Sequence, residues 1–179
     1  MASESLEIAP GEIMIADKGA RTLMANLRIC SAVTLNVEGK GGALIHVSTI
    51  HPFREIKNPQ SDGPIREEKS VERVRKFQRE LHTGEVCNFR DVTAHELLLG
   101  AIARLMRTYR VKKSEITVGL HYGPTAHPSS DYLEDALRKM KIKTNIVYGV
   151  SHLEFHPGSG VSKLNQKFRK MGPFLFPEF

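Results

Sequence analysis

The feature that most restricts the fold of this chain is a glycine-rich connection between two short apolar segments. Residues 32–37 and 43–48 are rich in aliphatic and β-branched side chains, which is typical of strands. Between them runs Glu38-Gly39-Lys40-Gly41-Gly42, whose glycines adopt positive φ at little cost. The pattern predicts an antiparallel hairpin that reverses at Gly39-Lys40.

Further strands are predicted by short apolar runs between turn residues. These runs cover residues 12–16, 116–121, 144–150 and 153–156. The proline-rich stretch 52–64 is predicted to be a loop, whereas the pattern of the tail 158–179 indicates neither helix nor strand.

Three helices are predicted by apolar residues at helical spacing. The second opens with the capping-box pattern Thr93-Ala94-His95-Glu96, and Ser130 or Asp131 is expected to cap the third. The apolar positions of the first are Val71, Val74, Phe77 and Leu81, and those of the third are Leu133, Leu137 and Met140. The order of elements predicts one α+β domain over residues 1–179, in which helices cover a mixed or antiparallel sheet.

Composition and charge narrow the class of protein. No apolar run approaches the roughly 20 residues that a membrane-spanning helix needs, and the polar, acidic N-terminus does not resemble a secretory signal. We therefore expect a cytoplasmic protein without membrane insertion. The net charge of +6 is spread over helices that also carry Asp and Glu, so we expect solvated helix faces and no nucleic-acid partner.

The candidate chemistry centres on a cysteine and a downstream histidine. Cys30 and Cys87 are too few for a disulfide framework and form no C-x-x-C pair, so each is treated as a thiol. The hairpin brings Cys30 near His46, and an imidazole is the kind of base that converts a thiol into a nucleophile. Cys87 has no patterned histidine partner, which favours a structural thiol.

Strand geometry sets a condition on this pair. A two-residue turn at Gly39-Lys40 places His46 opposite Val33, and residues 30 and 33 of a regular strand point to opposite faces. The pair therefore requires irregular backbone at Cys30 or a bulge in the glycine-rich connection.

Several segments together resemble the family of the chemoreceptor glutamine deamidase CheD. The first four read APGEIMIA (9–16), TL (22–23), LRICSAV (27–33) and GGALIHV (41–47). Later segments are similar to the central helix and strand of that family, its late helix and its closing strand pair; they are 94–110, 116–118, 130–137, 142–149 and 155–160. The extra residues lie mainly in an insertion around 53–92.

This resemblance implies a fold, a reaction and a set of site residues. The fold is that of a cysteine hydrolase, shared with the catalytic domain of cytotoxic necrotizing factor, with α/β/β/α layers. The reaction is the deamidation of a protein glutamine, with Cys30 as nucleophile, His46 as general base, and no metal or organic cofactor. The expected partners are a chemoreceptor substrate and a chemotaxis phosphatase.

The sequence departs from the family pattern near the cysteine. Arg28-Ile29 replace a Gly-Ser pair, and Met24 replaces a threonine six residues before the cysteine, so Thr22 becomes the candidate third catalytic residue. Asn26 or Ser48 are further candidates to orient the imidazole.

Three alternative readings therefore stay open. They are a toxin or effector deamidase that acts on a host protein, a catalytically silent binding module, and a metal site at His152 and His156 or at His121 and His127.

Overall fold

The structure is a computed structural model that describes residues 4–48, 63–89, 92–126 and 133–166, with side chains described at 4–48, 71–89, 92–126 and 133–162. The strands are β1 Glu4–Glu7, β2 Glu12–Asp17, β3 Arg21–Asn26, β4 Ser31–Val37, β5 Gly41–Val47, β6 Val86–Asn88, β7 Ile116–Tyr122, β8 Thr144–Val147, β9 Val150–His156 and β10 Gly160–Gln166. The helices are α1 Gly63–Glu80, α2 Ala94–Tyr109 and α3 Leu133–Lys139, and a short 3₁₀ turn covers Lys113–Glu115.

The strands form two mixed sheets. The larger has six strands in the order β6-β2-β5-β4-β7-β8, and the smaller has four in the order β1-β3-β9-β10. Most neighbours are antiparallel, whereas β7–β8 and β1–β3 are parallel. The chain therefore has an α+β fold, as the order of predicted elements indicated.

The two faces of the six-stranded sheet pack against different partners. Val33, Leu35 and Ile45 point to one face and share a core with Phe77 of α1 and Leu97 of α2. The opposite face of this sheet packs on the four-stranded sheet through a second core; this core includes Met14, Ala32, Leu44, Leu23, Leu153 and Phe155. Residues that alternate along each strand thus belong to two separate cores.

The described helices all lie on the same side of the six-stranded sheet. Residues of α1, α2 and α3 share one core with that face, so the described layers are α/β/β. The second helical layer of the expected α/β/β/α arrangement is not among the described elements, since no described helix covers the outer face of the four-stranded sheet. None of the described helices combines the length and apolarity needed to cross a bilayer.

The predicted start of α2 is confirmed, but its capping box is only half formed. Thr93 Oγ1 accepts a hydrogen bond from the Glu96 backbone N–H at 3.1 Å. The Glu96 carboxylate does not return to Thr93, because it accepts two hydrogen bonds of 2.8 Å from Arg73 on α1. Glu96 is buried, so this bidentate pair joins α1 to α2 at the edge of the core.

Several other predictions need correction. The predicted strand 144–150 is divided between β8 and β9, because Gly149 has a φ of 72° and turns the chain between them. Strands β1, β3, β6 and β10 were not predicted. β1 and β3 contain many polar residues, and the burial of one face of β3 depends on the second sheet. Residues 52–62 of the predicted loop, and the proposed caps Ser130 and Asp131, lie outside the described residues.

The first testable consequence concerns Gly42, where the hairpin passes under the second sheet. A Cβ at this position would lie 2.4 Å from the Leu35 carbonyl oxygen and 2.7 Å from the Phe155 ring. Backbone cannot yield as a flexible side chain does, so we expect Gly42→Ala to lower the free energy of unfolding by about 1–3 kcal/mol. Chemical denaturation measures this loss.

Gly39→Asn is the matched control. Gly39 has a φ of 75° and open space around its Cβ position, and asparagine tolerates that backbone conformation. We expect a loss below about 1 kcal/mol. Equal losses in the two variants would contradict the close packing assigned to Gly42.

Candidate active site

The turn between β4 and β5 has three residues instead of the expected two. Val37 pairs with Gly41, so Glu38, Gly39 and Lys40 form the connection, and the Lys40 N–H donates to the Val37 carbonyl at 3.0 Å. The premise of a two-residue turn is therefore wrong. The additional residue moves the register by one position, which decides the faces to which the side chains of β5 point.

The new register places the sulfur and the imidazole on the same face of the sheet. His46 pairs with Ala32, not with Val33, and Ala32 faces the four-stranded sheet. Cys30 lies two residues before Ala32, and it belongs to the same core between the sheets. The condition imposed by strand alternation is thus met without a bulge.

Cys30 and His46 are diagonal neighbours, and Ser48 lies directly across from the cysteine. Continuing the register of Ser31 with Val47 puts Cys30 opposite Ser48. Diagonal positions on antiparallel strands lie about 7–8 Å apart at the Cα atoms, which is within reach of long side chains. The elements that position the pair are therefore the start of β4 and the end of β5.

The Cys30 thiol is buried and held in its neutral form. Its residue is 7% exposed. Burial raises the pKa of the Cys30 thiol, and a side-chain hydrogen bond with Ser48 lowers it by a smaller amount. Ser48, a candidate to orient the imidazole, forms a side-chain hydrogen bond with the thiol. In this state the cysteine is not an activated thiolate.

The His46 ring is fixed by a backbone carbonyl. His46 Nδ1 lies 2.6 Å from the carbonyl oxygen of Ile8, so Nδ1 carries a proton and donates it. Burial lowers the pKa of His46, whereas the bond to Ile8 and the charges of Glu7 and Glu12 raise it by less. The ring is therefore neutral near pH 7, and its Nε2 presents a lone pair.

No described group occupies that lone pair. His46 Nε2 is buried and has no hydrogen-bond partner among the described residues. No hydrogen bond joins it to Cys30 Sγ, although the sulfur is a diagonal neighbour on the same face. A buried, oriented imidazole nitrogen without a hydrogen-bond partner is available to accept a proton.

A turn after β7 holds the segment that leads into Cys30. The Gly123 N–H donates to the Cys30 carbonyl at 2.9 Å, and both the N–H and the hydroxyl of Thr125 donate to the Arg28 carbonyl at 3.0 Å. A Cβ at Gly123 would lie 2.4 Å from the Arg28 oxygen. The Tyr122-Gly123-Pro124 turn therefore sets the backbone path before the cysteine.

His121, which the sequence suggested only as a possible metal ligand with His127, is a second buried imidazole on this face. His121 pairs with Ala32 from the side opposite His46, so the two histidines flank Ala32. Its Nε2 lies 3.2 Å from Thr34 Oγ1, while its Nδ1 is buried without a hydrogen-bond partner among the described residues. Burial lowers the pKa of His121 to about 4. Its position within the apolar run of β7 was the sequence signal that this histidine is buried.

Thr22 does not join the site. It lies on β3, where the neighbouring Leu23 faces the core between the sheets, so Thr22 points to the outer face. There its hydroxyl lies 3.2 Å from Nδ1 of His156. The structure therefore does not bring Thr22, the candidate third catalytic residue, together with Cys30 and His46, and the group that orients His46 is the Ile8 carbonyl. Asn26 also faces outward, where it bonds Glu7 and His152.

The proposed metal ligands have other contacts. His152 Nδ1 lies 2.8 Å from Asn26 Oδ1, and His156 contacts Thr22 and Ser162 through its two ring nitrogens. His127 lies outside the described residues. Within the described ranges no group of three His, Cys, Asp or Glu side chains is placed to hold a metal ion.

Comparison with models of known protein families found no match, and a search of curated proteins found no match.

The burial of Cys30 predicts its behaviour toward alkylating reagents. Cys87 is only partly buried, although burial and the charge of Glu80 also raise its pKa. We expect iodoacetamide at neutral pH to label Cys30 at least about tenfold more slowly than Cys87, as measured by peptide mass mapping. The rate at Cys30 should rise with pH beyond the ordinary thiol range. Faster labelling of Cys30 at neutral pH would contradict a neutral resting thiol.

The burial of His121 predicts a loss of stability in acid. The pKa of His121 falls from 6.5 in the unfolded chain to about 4, so between these values the unfolded state binds more protons. Stability therefore decreases as the pH falls through this window. We expect the loss between pH 7 and about pH 5 to be smaller in His121→Gln by about 2 kcal/mol, measured by chemical denaturation. Equal losses in both proteins would contradict this effect.

Proposed function

We propose that the protein is a cysteine-dependent protein-glutamine deamidase. The observation that carries the proposal is the pairing of β4 with β5, which puts Cys30 diagonal to an oriented, unoccupied His46 Nε2. A nucleophile, a base and a group that orients the base are the parts that covalent hydrolysis requires. The sequence resemblance to the CheD family supports the same two residues.

The first half of the proposed reaction forms a thioester. His46 Nε2 accepts the thiol proton while Cys30 Sγ attacks the carboxamide carbon of a glutamine side chain. The tetrahedral intermediate collapses when the C–N bond breaks and His46 returns the proton to the leaving nitrogen, which departs as ammonia. Backbone N–H groups near Cys30 would stabilise the oxyanion, at about 3 kcal/mol for each donor.

The second half consumes one water. His46 takes a proton from the water, whose oxygen attacks the thioester carbon, and the C–S bond breaks. The proton then returns to the sulfur, so the enzyme regains a neutral thiol and the substrate leaves as glutamate. The balance is one carboxamide and one water converted into one carboxylic acid and ammonia, with no change of oxidation state.

Binding of the substrate has to change the contact of the thiol. In the resting state the thiol is bonded to Ser48 and not to His46. A rotation about the Cys30 side chain would turn the sulfur toward the diagonal position, and hydrogen bonds between catalytic groups commonly tighten only in the substrate complex. Desolvation keeps both groups neutral until then, which suits a base that removes the thiol proton during attack.

The substrate class follows from the resemblance and not from the site geometry. CheD-like proteins act on glutamines of chemoreceptors, and we take an exposed receptor glutamine as the first candidate. A glutamine of a host protein is the alternative, in the manner of deamidating toxins of related fold. Both substrates present the same carboxamide to Cys30.

The test is a deamidation assay on two substrates. The purified protein is incubated with a protected glutaminyl-glycine dipeptide and with a chemoreceptor cytoplasmic fragment, and both ammonia and the deamidation mass change are measured. We expect Cys30→Ala and His46→Gln each to reduce the rate at least about 10³-fold, because each removes one half of the dyad.

Cys87→Ala is the matched control and should keep the rate of the unaltered protein. Because the pKa of His46 is lowered, its base form persists in mild acid, so the acid limb of the rate profile should lie below 6.5. Equal product from the unaltered protein and Cys30→Ala would remove the enzyme proposal.

A catalytically silent binding module is the second candidate. The contact of Cys30 with Ser48, together with Arg28-Ile29 in place of the Gly-Ser of the family, favours this reading. A module of this kind would bind the receptor fragment, or a chemotaxis phosphatase, with equal affinity in the unaltered protein and in Cys30→Ala. Binding without deamidation of either substrate would favour the module over the enzyme.

A further inference from the structure

Two short basic runs lie far apart in the sequence. One is Arg110-Val111-Lys112-Lys113, directly after α2, and the other is Arg138-Lys139-Met140-Lys141-Ile142-Lys143, at the end of α3. Their seven basic residues are all exposed, while the residues between them are partly or fully buried. The sequence pattern alone does not show that the two runs meet.

The fold brings the two runs together. Lys113 Nζ donates to the Met140 carbonyl at 3.0 Å, so the 3₁₀ turn packs against the end of α3. The left-handed residues Arg110 and Lys141, with φ values of 52° and 55°, end α2 and α3 at this place. The cations thus gather at the adjoining ends of two helices, where carbonyl dipoles favour positive charge.

An apolar groove lies beside these cations. It has a volume of about 430 Å³, and Lys113, Lys139, Lys141 and His95 contribute to its lining. Its apolar lining comes from α2 and the end of α3 and consists of Leu99, Ile102, Ala103, Met106 and Met140. No carboxylate lines the groove among the described residues, so its charge is of one sign.

The carboxylates closest in sequence to the two basic runs already have hydrogen-bond or ion-pair partners. Glu115 accepts a hydrogen bond from the Lys112 backbone N–H at 2.7 Å, and Asp135 pairs with Arg138 at 3.1 Å. Glu134 accepts from the Tyr122 hydroxyl at 3.1 Å. Residues 110–115 and 133–143 therefore contain seven basic side chains and three carboxylates, and this excess of positive charge gives the groove a positive electrostatic potential.

We propose that this groove binds an acidic amphipathic helix of a partner protein. The apolar lining would receive the aliphatic side chains of that helix, while Lys113, Lys139 and Lys141 would face its carboxylates. A groove formed along α2 and the end of α3 suits the helix-in-groove mode of recognition. This site lies on the helical face of the six-stranded sheet, away from Cys30 and His46.

The shape of the site favours a peptide over other anionic partners. A membrane surface needs apolar side chains that protrude, whereas these residues form a concavity. A single-stranded nucleic acid needs aromatic platforms for its bases, and the described residues that line the groove include no aromatic ring apart from the imidazole of His95. Burial and the charge of Lys139 lower the pKa of His95, which agrees with a cationic environment.

The experiment measures fluorescence anisotropy with two labelled synthetic helices. One carries glutamates opposite a leucine face, and the other has lysine in place of each glutamate. We expect the full chain to bind the acidic helix and not the basic one, with affinity that falls as salt is added. Unlabelled single-stranded DNA and phosphatidylserine vesicles serve as competitors.

Two variants examine the two parts of the groove. The double variant Lys139→Glu, Lys141→Glu should weaken binding of the acidic helix at least about tenfold, because it reverses two of the facing charges. Ala103→Trp should weaken it by a similar factor by filling the groove, without removing a charge. The double variant Arg75→Glu, Lys76→Glu makes the same charge change on α1 and should leave binding unchanged.

Three results would overturn the proposal. The first is equal binding of both helices. The second is unchanged affinity after both groove variants, with their folding verified by circular dichroism. The third is tighter binding of DNA or vesicles than of the acidic helix, which would assign the patch to that other partner. None of these measurements depends on deamidase activity.

Discussion

The three-residue connection between β4 and β5 is the constraint on which the candidate site depends. Side chains alternate between the faces of a strand, so one residue more or fewer in the turn exchanges the whole inner and outer sets of β5. With three residues, His46 lies in the layer between the two sheets and diagonal to Cys30. The tip of the same hairpin is tied to the second sheet, because Gly39 donates to the Gly158 carbonyl and Gly158 donates to Asn36.

Burial in this layer decides the chemical state of the site. The layer is mainly aliphatic, so charged forms are disfavoured, and a thiol and an imidazole both remain neutral within it. The Ile8 carbonyl then selects the tautomer of His46 that leaves Nε2 as an acceptor. In the proposed reaction the neutral thiol would give its proton to this neutral base during attack, in contrast to sites that store a preformed thiolate.

The six-stranded sheet separates two surfaces of different character. One face carries the buried Cys30 and His46 between the sheets, and the other carries the helices and the cationic groove. Alternation along β4 and β5 builds both faces from one hairpin. The seven basic residues around the groove account for much of the positive net charge, which looked evenly spread over helices when the sequence was read linearly.

The sequence by itself determined the local elements, such as the hairpin, the Thr93 cap of α2 and the α+β class, because apolar periodicity and cap chemistry act between near neighbours. It also pointed to Cys30 and His46. Only the tertiary structure decided that the turn has three residues, that Thr22 faces outward and that His121 flanks the site, since a glycine-rich segment permits several turns and pairing of β7 with β4 joins residues distant in sequence. The direction in which a strand faces is set by its partners, and a linear pattern does not contain them.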